Sequence, residues 1–390
     1  MHIETKHKEQ REKKKLLFVI TQFYKGGAEV ALLNLFRSLS EKEYEVDFLI
    51  FDQMILKNAQ SLIEDIPKWI RVCNASEKEG SFAVVIKILF KIYLKVTKRQ
   101  LYRPSAYRFV NHKKYDAAFS YGEWMSPEFV AKKVSADKRM VWIHTDIDKA
   151  KYIDEKIFFG FDSYYNKYIF VSEHSRLSAE SKFPFVKEKS AVVHNMCDEQ
   201  SIREDADEAI REWEWQSTPV LLSVGNLREE KNYPRQIEVM RILKERGVIC
   251  TWLCIGSTSN VILYQQVKSM LEKYQLQENF IFLGAEKNPH KYMKMADAVM
   301  VLSDYESWSL VITEAKILGI PVIATETSGA REQINNGETG ILTSFENEEI
   351  ADRIQEFLEN KEVSKNIRKN LEGFTMKQET MKEFLSVLGE

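Results

Sequence analysis

Short apolar runs rich in β-formers alternate with longer helical patterns from one end of the chain to the other, which predicts an α/β fold. The expected architecture is two doubly wound, Rossmann-like domains whose parallel sheets face an interdomain cleft. Two observations set that number. The chain has 390 residues, about two domains at roughly 100–200 residues each. Its strand-like runs are also too many for one sheet covered by helices on both faces.

In the first half the strands are expected near Leu16–Ile20, Val46–Phe51, Trp69–Cys73, Asp116–Ser120, Met140–His144, Tyr168–Ser172 and Ala191–His194. Helical patterns intervene at Ala28–Leu39, Phe82–Lys98 and Pro127–Val134. The second half repeats the rhythm near Val220–Val224, Ile249–Ile255, Phe280–Leu283, Ala298–Leu302, Val322–Ala324 and Gly340–Leu342. The charged stretch 198–218 lacks strand character and reads as the linker, with Trp213 and Trp215 able to dock on a domain. The predicted division is therefore a charged arm over 1–15, a first domain over 16–197, the linker, a second domain over 219–372, and a C-terminal helix over 373–390 that packs back on the first domain.

Composition excludes several classes. Gly totals 15, Pro 8 and Cys 4, against collagen-like, low-complexity or disulfide-scaffold chains. No apolar run reaches the ~18 residues of a membrane span. The first residues, MHIETKHKEQREKKK, are charged and precede only the short run LLFVI, unlike a secretory signal. Cys73, Cys197, Cys250 and Cys254 lack metal or redox spacing and read as reduced, structural thiols of a cytoplasmic protein. The net charge of −2 hides an asymmetry: residues 1–200 carry 34 Lys+Arg against 27 Asp+Glu, so the remainder is acidic. A basic first half suits an anionic partner.

Ligands of doubly wound domains sit outside the carboxyl ends of the strands, so the informative residues are those just after strands. After the first strand, Gly26 and Gly27 open a helix; they allow close backbone approach, and the helix N-terminus attracts anions. The spacing is not G-x-G-x-x-G and no acidic ribose hook follows, which disfavours a dinucleotide. An ordinary strand-to-helix turn is the competing reading. After Val220–Val224 comes V-G-N-L-R-E-E-K, which places Lys231 near a helix start, either as solvated surface or as a charge added to the helix dipole. After Ala298–Leu302 comes D-Y-E-S-W-S-L-V-I-T-E-A. Here Ser309, Leu310 and Val311 would offer first-turn N–H groups to an anion. Glu306 precedes that turn, and Glu314 falls beside the apolar stripe Val311, Ala315, Leu318, where a carboxylate needs partners. A salt bridge or cap is the plain alternative for either glutamate.

Glu306 and Glu314 form an E-x7-E pair inside E-S-W-S-L-V-I-T-E-A, followed by G-I-P-V-I-A. With V-G-N-L-R-E-E-K, G-G-A-E, W-I-H144, F-V-S-E and V-V-H-N195, the chain closely resembles the family-4 retaining glycosyltransferases of the GT-B fold, from about Leu16 to Leu358. The resemblance implies transfer of a sugar from a nucleotide-sugar donor, a UDP-sugar foremost, to a glycan or lipid-linked acceptor, as in capsule, exopolysaccharide or lipopolysaccharide synthesis. It implies no cofactor and no metal. Carried over, His144 lies near the anomeric centre, Lys231 neutralises the departing diphosphate, and Glu306 contacts the donor sugar. Glu314 then takes the ribose hydroxyls, the amides of Ser309, Leu310 and Val311 bind the diphosphate or the sugar, and Gly26 and Gly27 close over the phosphates.

Two features complicate the match. Asn226 stands where the family usually has Arg, which leaves Arg228 as the nearby charge that could replace it. Asp146 and Asp148 have the D-x-D form of a metal site, but they follow the strand of a doubly wound domain, where that role is disfavoured. A nucleotide-sugar epimerase and a catalytically silent partner of another transferase are the rival functions. Between Gly80 and Tyr115 lie nine basic residues and no acidic one. Among them Lys87, Lys91 and Lys95 recur every fourth residue, followed by Lys98 and Arg99, in an otherwise apolar helix. That pattern suits either an anionic membrane surface or a helix covering the first sheet with its lysines in water. Nucleic-acid signatures are absent.

Overall fold

The computed structural model describes residues 12–53, 60–76, 102–147, 153–210 and 218–390, together with 85, 88, 89, 91–93 and 96. The described residues form thirteen strands in two sheets. The chain folds into two compact units that interleave in sequence: the first takes 1–170, 182–191 and 387–390, the second 171–181 and 192–386.

The first unit holds β1 (Lys14–Ile20), β2 (Tyr44–Ile50), β3 (Arg71–Asn74), β4 (Lys114–Tyr121), β5 (Ser135–Ile143), β6 (Lys167–Phe170) and β7 (Ser190–Val192) in the order 3-2-1-4-5-6-7. Its helices are α1 (Gly27–Ser38), α2 (Pro104–Val110), α3 (Glu128–Lys133) and α4 (Glu155–Phe159). Leu16–Ile20 is wholly buried, as a parallel strand covered on both faces must be. Phe18 of β1 stacks on Phe119 of β4 at 4.5 Å and meets Phe36 of α1 edge-on at 5.2 Å, so one aromatic cluster fixes both strand pairing and helix docking. The strand order reverses between β1 and β4, which makes the loops after them the place for a ligand.

In the second unit, β8 (Val220–Val224), β9 (Thr251–Ile255), β10 (Phe280–Gly284), β11 (Ala298–Val301), β12 (Val322–Thr325) and β13 (Ile341–Thr343) run in the order 10-9-8-11-12-13. All the pairs of this sheet are parallel. Its helices are α5 (Glu173–Lys182), α6 (Glu199–Ala206), α7 (Tyr233–Glu245), α8 (Val261–Tyr274), α9 (His290–Met295), α10 (Leu310–Ile317), α11 (Ser328–Gln333), α12 (Asn347–Glu359) and α13 (Lys361–Asn370). The last helix, α14 (Lys377–Leu388), begins in this unit, and its final residues group with the first. The reversal of strand order falls between β8 and β11, which puts the loops carrying Lys231 and Glu306 side by side.

Several expectations meet a more detailed picture. The stretch read as a linker contains α6, N-capped by Asp198 and burying Ile202 and Ala206. Trp213 and Trp215 lie outside the described residues. Of the helical pattern at 82–98, Val85, Ile88, Leu89, Ile92 and Val96 are helical and more than half exposed, and Lys91 is exposed with them. Lys87, Lys95, Lys98 and Arg99 lie outside the described residues, as does Asp148. The four cysteines are free and buried. No helix of the described residues is long and apolar enough to cross a membrane.

The loops after β8 and β9 touch backbone to backbone. A β-carbon on Gly256 would overlap the carbonyl group of Gly225, and neither main chain can yield without moving its strand end. Gly256→Ala should therefore cost about 2–4 kcal/mol in a urea melt. A loss under about 0.5 kcal/mol would mean that this contact is not a constraint.

Candidate functional site

At the reversal point of the second sheet, the loop 225–231 faces the loop 302–309. Asp304 N–H donates to the Glu230 carbonyl at 2.8 Å, joining the two. Across that junction Lys231 Nζ meets Glu306 Oε1 at 2.5 Å, with both side chains mostly buried. Ser303 Oγ donates to the same oxygen at 2.8 Å. An ammonium and a carboxylate are thus presented together at the carboxyl end of the sheet.

Lys231 is placed from the core outward. Trp252 Nε1 donates to Ser223 Oγ at 3.0 Å, Ser223 Oγ donates to Gln236 Oε1 at 2.8 Å, and Gln236 Nε2 donates to the Lys231 carbonyl at 3.0 Å. Gly225 leaves room for the lysine stem, since a β-carbon there would lie 3.3 Å from its Cε. Asn232, left-handed at φ 43°, caps α7 by accepting from Arg235 N–H and also donates to Asp304. Arg235 Nη1 reaches the same carboxylate at 2.7 Å.

The opposite loop is pinned as firmly. Thr325 Oγ1 donates to the Ser303 carbonyl at 2.6 Å, and Gly329 N–H to the Glu306 carbonyl at 2.8 Å. A β-carbon on Gly329 would come within 2.7 Å of the Glu306 and Ser307 carbonyls, so only glycine lets this loop rest on the start of α11. Ser309 N–H donates to Gln333 Oε1 at 2.9 Å, and Gln333 Nε2 returns a bond to the Ser309 carbonyl at 2.9 Å. This corrects the reading of three open amides. Ser309 is engaged within the protein, which leaves Leu310 and Val311 as the first-turn donors that α10 itself does not use. Lys316, buried on the same helix with its pKa lowered to about 8 by that burial, donates to the Gln333 carbonyl at 2.5 Å.

Asn226 Oδ1 accepts from Ser257 N–H at 2.9 Å, so the residue in place of the family arginine ties two loops together. The Arg228 side chain, the nearby charge, is 62 % exposed and lies 3.8 Å from Glu230. Glu314, one helical turn from the loop, is mostly buried beside His290.

In the first unit, Gly26 caps α1, and the space a β-carbon would take is filled by the Glu29 carboxylate at 2.5 Å, while nothing lies within 4 Å of that position on Gly27. His144 follows β5. Its N–H donates to the buried Glu123 at 2.9 Å, and its ring lies among Tyr121 at 4.5 Å and Trp124 and Trp142 at 6.0 Å. Glu123 and the half-exposed Trp124 went unremarked in the sequence. Their signal was available, because G-E-W sits directly after β4 at the reversal point.

A second cluster was also missed. His194 Nδ1 lies 2.8 Å from Glu383, its Nε2 lies 3.8 Å from Glu332, and its ring is 4.2 Å from that of Trp308 in the 302–309 loop. Glu332 in turn accepts from the N–H groups of Glu173 and His174 at the start of α5. Burial alone would lower the His194 pKa, but hydrogen bonds and charge from the two carboxylates raise it to about 9.

Residues 205–373 match the family described as glycosyl transferases group 1. The N-acetyl-alpha-D-glucosaminyl L-malate synthase of Bacillus anthracis is 26 % identical over 154 residues, 39 % of each chain. A diphospho-undecaprenol N-acetylgalactosaminyltransferase of Campylobacter jejuni is 28 % identical over 167 residues, 43 % of each chain. These matches span only about two fifths of the curated relatives' length. Among solved structures, Anabaena HepE in complex with UDP-glucose aligns with a TM-score of 0.70 at 17 % identity, over 95 % of this chain and 99 % of that one. Staphylococcus aureus TarM aligns with a TM-score of 0.71 at 14 % identity, over 98 % and 100 %. At that identity the likeness is one of fold.

Because its folded pKa is raised, His194 contributes stability, on the order of 3 kcal/mol, in full below about pH 6.5 and progressively less as pH rises through about 9. Thermal melts between pH 6 and 10 should show the wild type losing more than His194→Gln across that window. Parallel curves would show that the ring carries no excess charge.

Proposed function

Because this chain has the GT-B fold and a group 1 glycosyl transferase domain over residues 205–373, we propose that it is a retaining glycosyltransferase. It moves a sugar from a nucleotide-sugar donor, foremost a UDP-sugar, to a glycan or lipid-linked acceptor in polysaccharide synthesis. The observation that carries this reading is the Lys231–Glu306 pair at the reversal point of the second sheet, in front of the first turn of α10.

The chemistry follows from that placement. Cleaving a glycosyl–phosphate bond leaves negative charge on the diphosphate while the sugar becomes oxocarbenium-like. Before donor arrives, Glu306 neutralises Lys231. An incoming diphosphate competes for the ammonium and takes up the Leu310 and Val311 amides, which frees Glu306 to accept from sugar hydroxyls. As the bond breaks, charge on the leaving oxygen grows, so the fixed cation and amide dipoles bind the transition state more strongly than the ground state. No carboxylate acts as nucleophile, and Lys231 with the helix dipole supplies the positive charge in place of a metal. In this reading the departing phosphate helps deprotonate the acceptor on the same face, which retains configuration. Glu314 takes the ribose hydroxyls, and the family resemblance assigns Gly26 and Gly27 to the phosphates and His144 to the anomeric carbon.

Support for a membrane partner comes from the exposed stripe Val85, Ile88, Leu89, Ile92 and Val96, which repeats at helical spacing within a segment of nine basic residues and no acidic one. An anionic bilayer complements both features, because an apolar stripe suits the interface and a basic segment suits the headgroup charge. The enzyme then works at the cytoplasmic face of the plasma membrane, beside its lipid-linked acceptor.

Lys231→Ala and Glu306→Ala should each lower sugar transfer by about 10²–10³-fold while circular dichroism stays unchanged. Near-normal turnover in a folded variant would remove that residue from the mechanism. Replacing Lys87, Lys91, Lys95, Lys98 and Arg99 by Glu should abolish co-sedimentation with phosphatidylglycerol vesicles. Undiminished binding would place the membrane contact elsewhere.

A further inference from the structure

Behind Glu314 lies a histidine with no place in the mechanism above. His290 opens α9, and its ring is mostly buried between α6 and α10. On one side Nδ1 lies 3.3 Å from Asp205 Oδ2 of α6; on the other, Nε2 lies 3.8 Å from Glu314 Oε1. Nε2 is sealed from solvent and makes no hydrogen bond, so the Glu314 carboxylate is what it faces. The ring cannot easily turn away. Asn288 Oδ1 accepts from His290 N–H at 3.0 Å, while Asn288 Nδ2 donates to the Asp205 carbonyl at 2.7 Å, locking the loop to α6.

The two carboxylates dictate the protons on this ring. Asp205 is an acceptor, so Nδ1 keeps its hydrogen whenever the ring carries only one, and Nε2 is protonated only in the imidazolium. A neutral ring would aim a lone pair at Glu314, whereas an imidazolium aims an N–H. The neighbouring charges are engaged elsewhere: Lys291 of the same helix pairs with Glu208 at 3.1 Å, Lys294 pairs with Asp207, and β8, which also packs on α9, brings no titratable group. Burial lowers the His290 pKa, but Glu314 and Asp205 together raise it above the ordinary imidazole value.

We propose that His290 is a positioning residue for donor recognition: its Nε2–H holds one oxygen of Glu314 from behind, so that the other faces the hydroxyls of a ribonucleoside diphosphate. This rests on the reading that Glu314 takes the ribose. The gap of 3.8 Å closes to a charge-assisted hydrogen bond when ligand hydroxyls draw the carboxylate into line. Orientation depends on the imidazolium, so recognition of the ribose weakens as pH rises past the His290 pKa, while contacts to the phosphates do not depend on it.

The test is calorimetric titration of the full chain with UDP, GDP and ADP, each beside its 2′- and 3′-deoxy forms, from pH 6.5 to 9.5. Wild type should prefer a ribonucleotide over its deoxy forms and lose that preference at alkaline pH. His290→Ala should weaken ribonucleotide binding about tenfold at pH 6.5 and leave the deoxy forms nearly unchanged, an effect a purely structural residue would not produce. His290→Gln, a neutral donor, should restore much of the preference and make it independent of pH. A His290→Ala protein that keeps the wild-type preference while Glu314→Ala loses it overturns the role of His290 and leaves the ribose reading standing. Undiminished preference in Glu314→Ala overturns the ribose reading itself, and binding of none of the nucleotides by the wild type overturns both.

Discussion

A mostly buried ammonium and carboxylate held against each other, Lys231 on Glu306, are the constraint around which the loops at the strand ends of the second unit are arranged. Such a pair adds little net stability, because desolvation offsets most of its Coulombic gain. Its geometry is maintained by other bonds. The Trp252–Ser223–Gln236 chain fixes the main chain of Lys231, and Thr325, Gly329 and Gln333 fix that of the opposite loop. The charges therefore stand in place before any ligand arrives, and the cost of orienting them is met during folding.

Sheet topology explains why those two loops are neighbours. Strand order reverses between β8 and β11, so the chain leaves the sheet in opposite lateral directions and opens a crevice at the carboxyl ends. The first sheet reverses in the same way between β1 and β4, and the loops after those strands carry Gly26, Gly27, Glu123 and Trp124. The close approach of Gly225 to Gly256, and of Gly329 to Glu306 and Ser307, shows how tightly the crevice of the second sheet is drawn. Around it lie two histidines, each set between two carboxylates. His194 joins the Trp308 ring to Glu332 and Glu383, and His290 stands behind Glu314.

Much of this was legible beforehand. Buried parallel strands are apolar runs, so each strand from β1 to β13 overlaps the span expected for it, fully at β8 and only at Ala191 and Val192 for β7. The E-x7-E spacing, with a lysine after the first strand of the second domain, marked the residues that converge. The helix α6 was read as linker because only Ile202 and Ala206 of its turns are buried, too sparse a stripe to stand out among charges. Asn226 looked like a lost positive charge; its actual work, holding Ser257, depends on a loop that periodicity cannot place beside it.

The sequence by itself determined the elements, their order and the residue types brought to the strand ends, because apolar periodicity, glycines and helix starts act over a few neighbouring residues. Tertiary structure decided the pairings: Lys231 with Glu306 across 75 positions, Ser309 with Gln333, His194 with Glu383, and His290 between Asp205 and Glu314. Hydrogen bonds and charges act over a few ångströms of space whatever the separation along the chain. Which amide stays open, which carboxylates each histidine meets and which arginine faces solvent were therefore set only once the loops had come together at the strand ends.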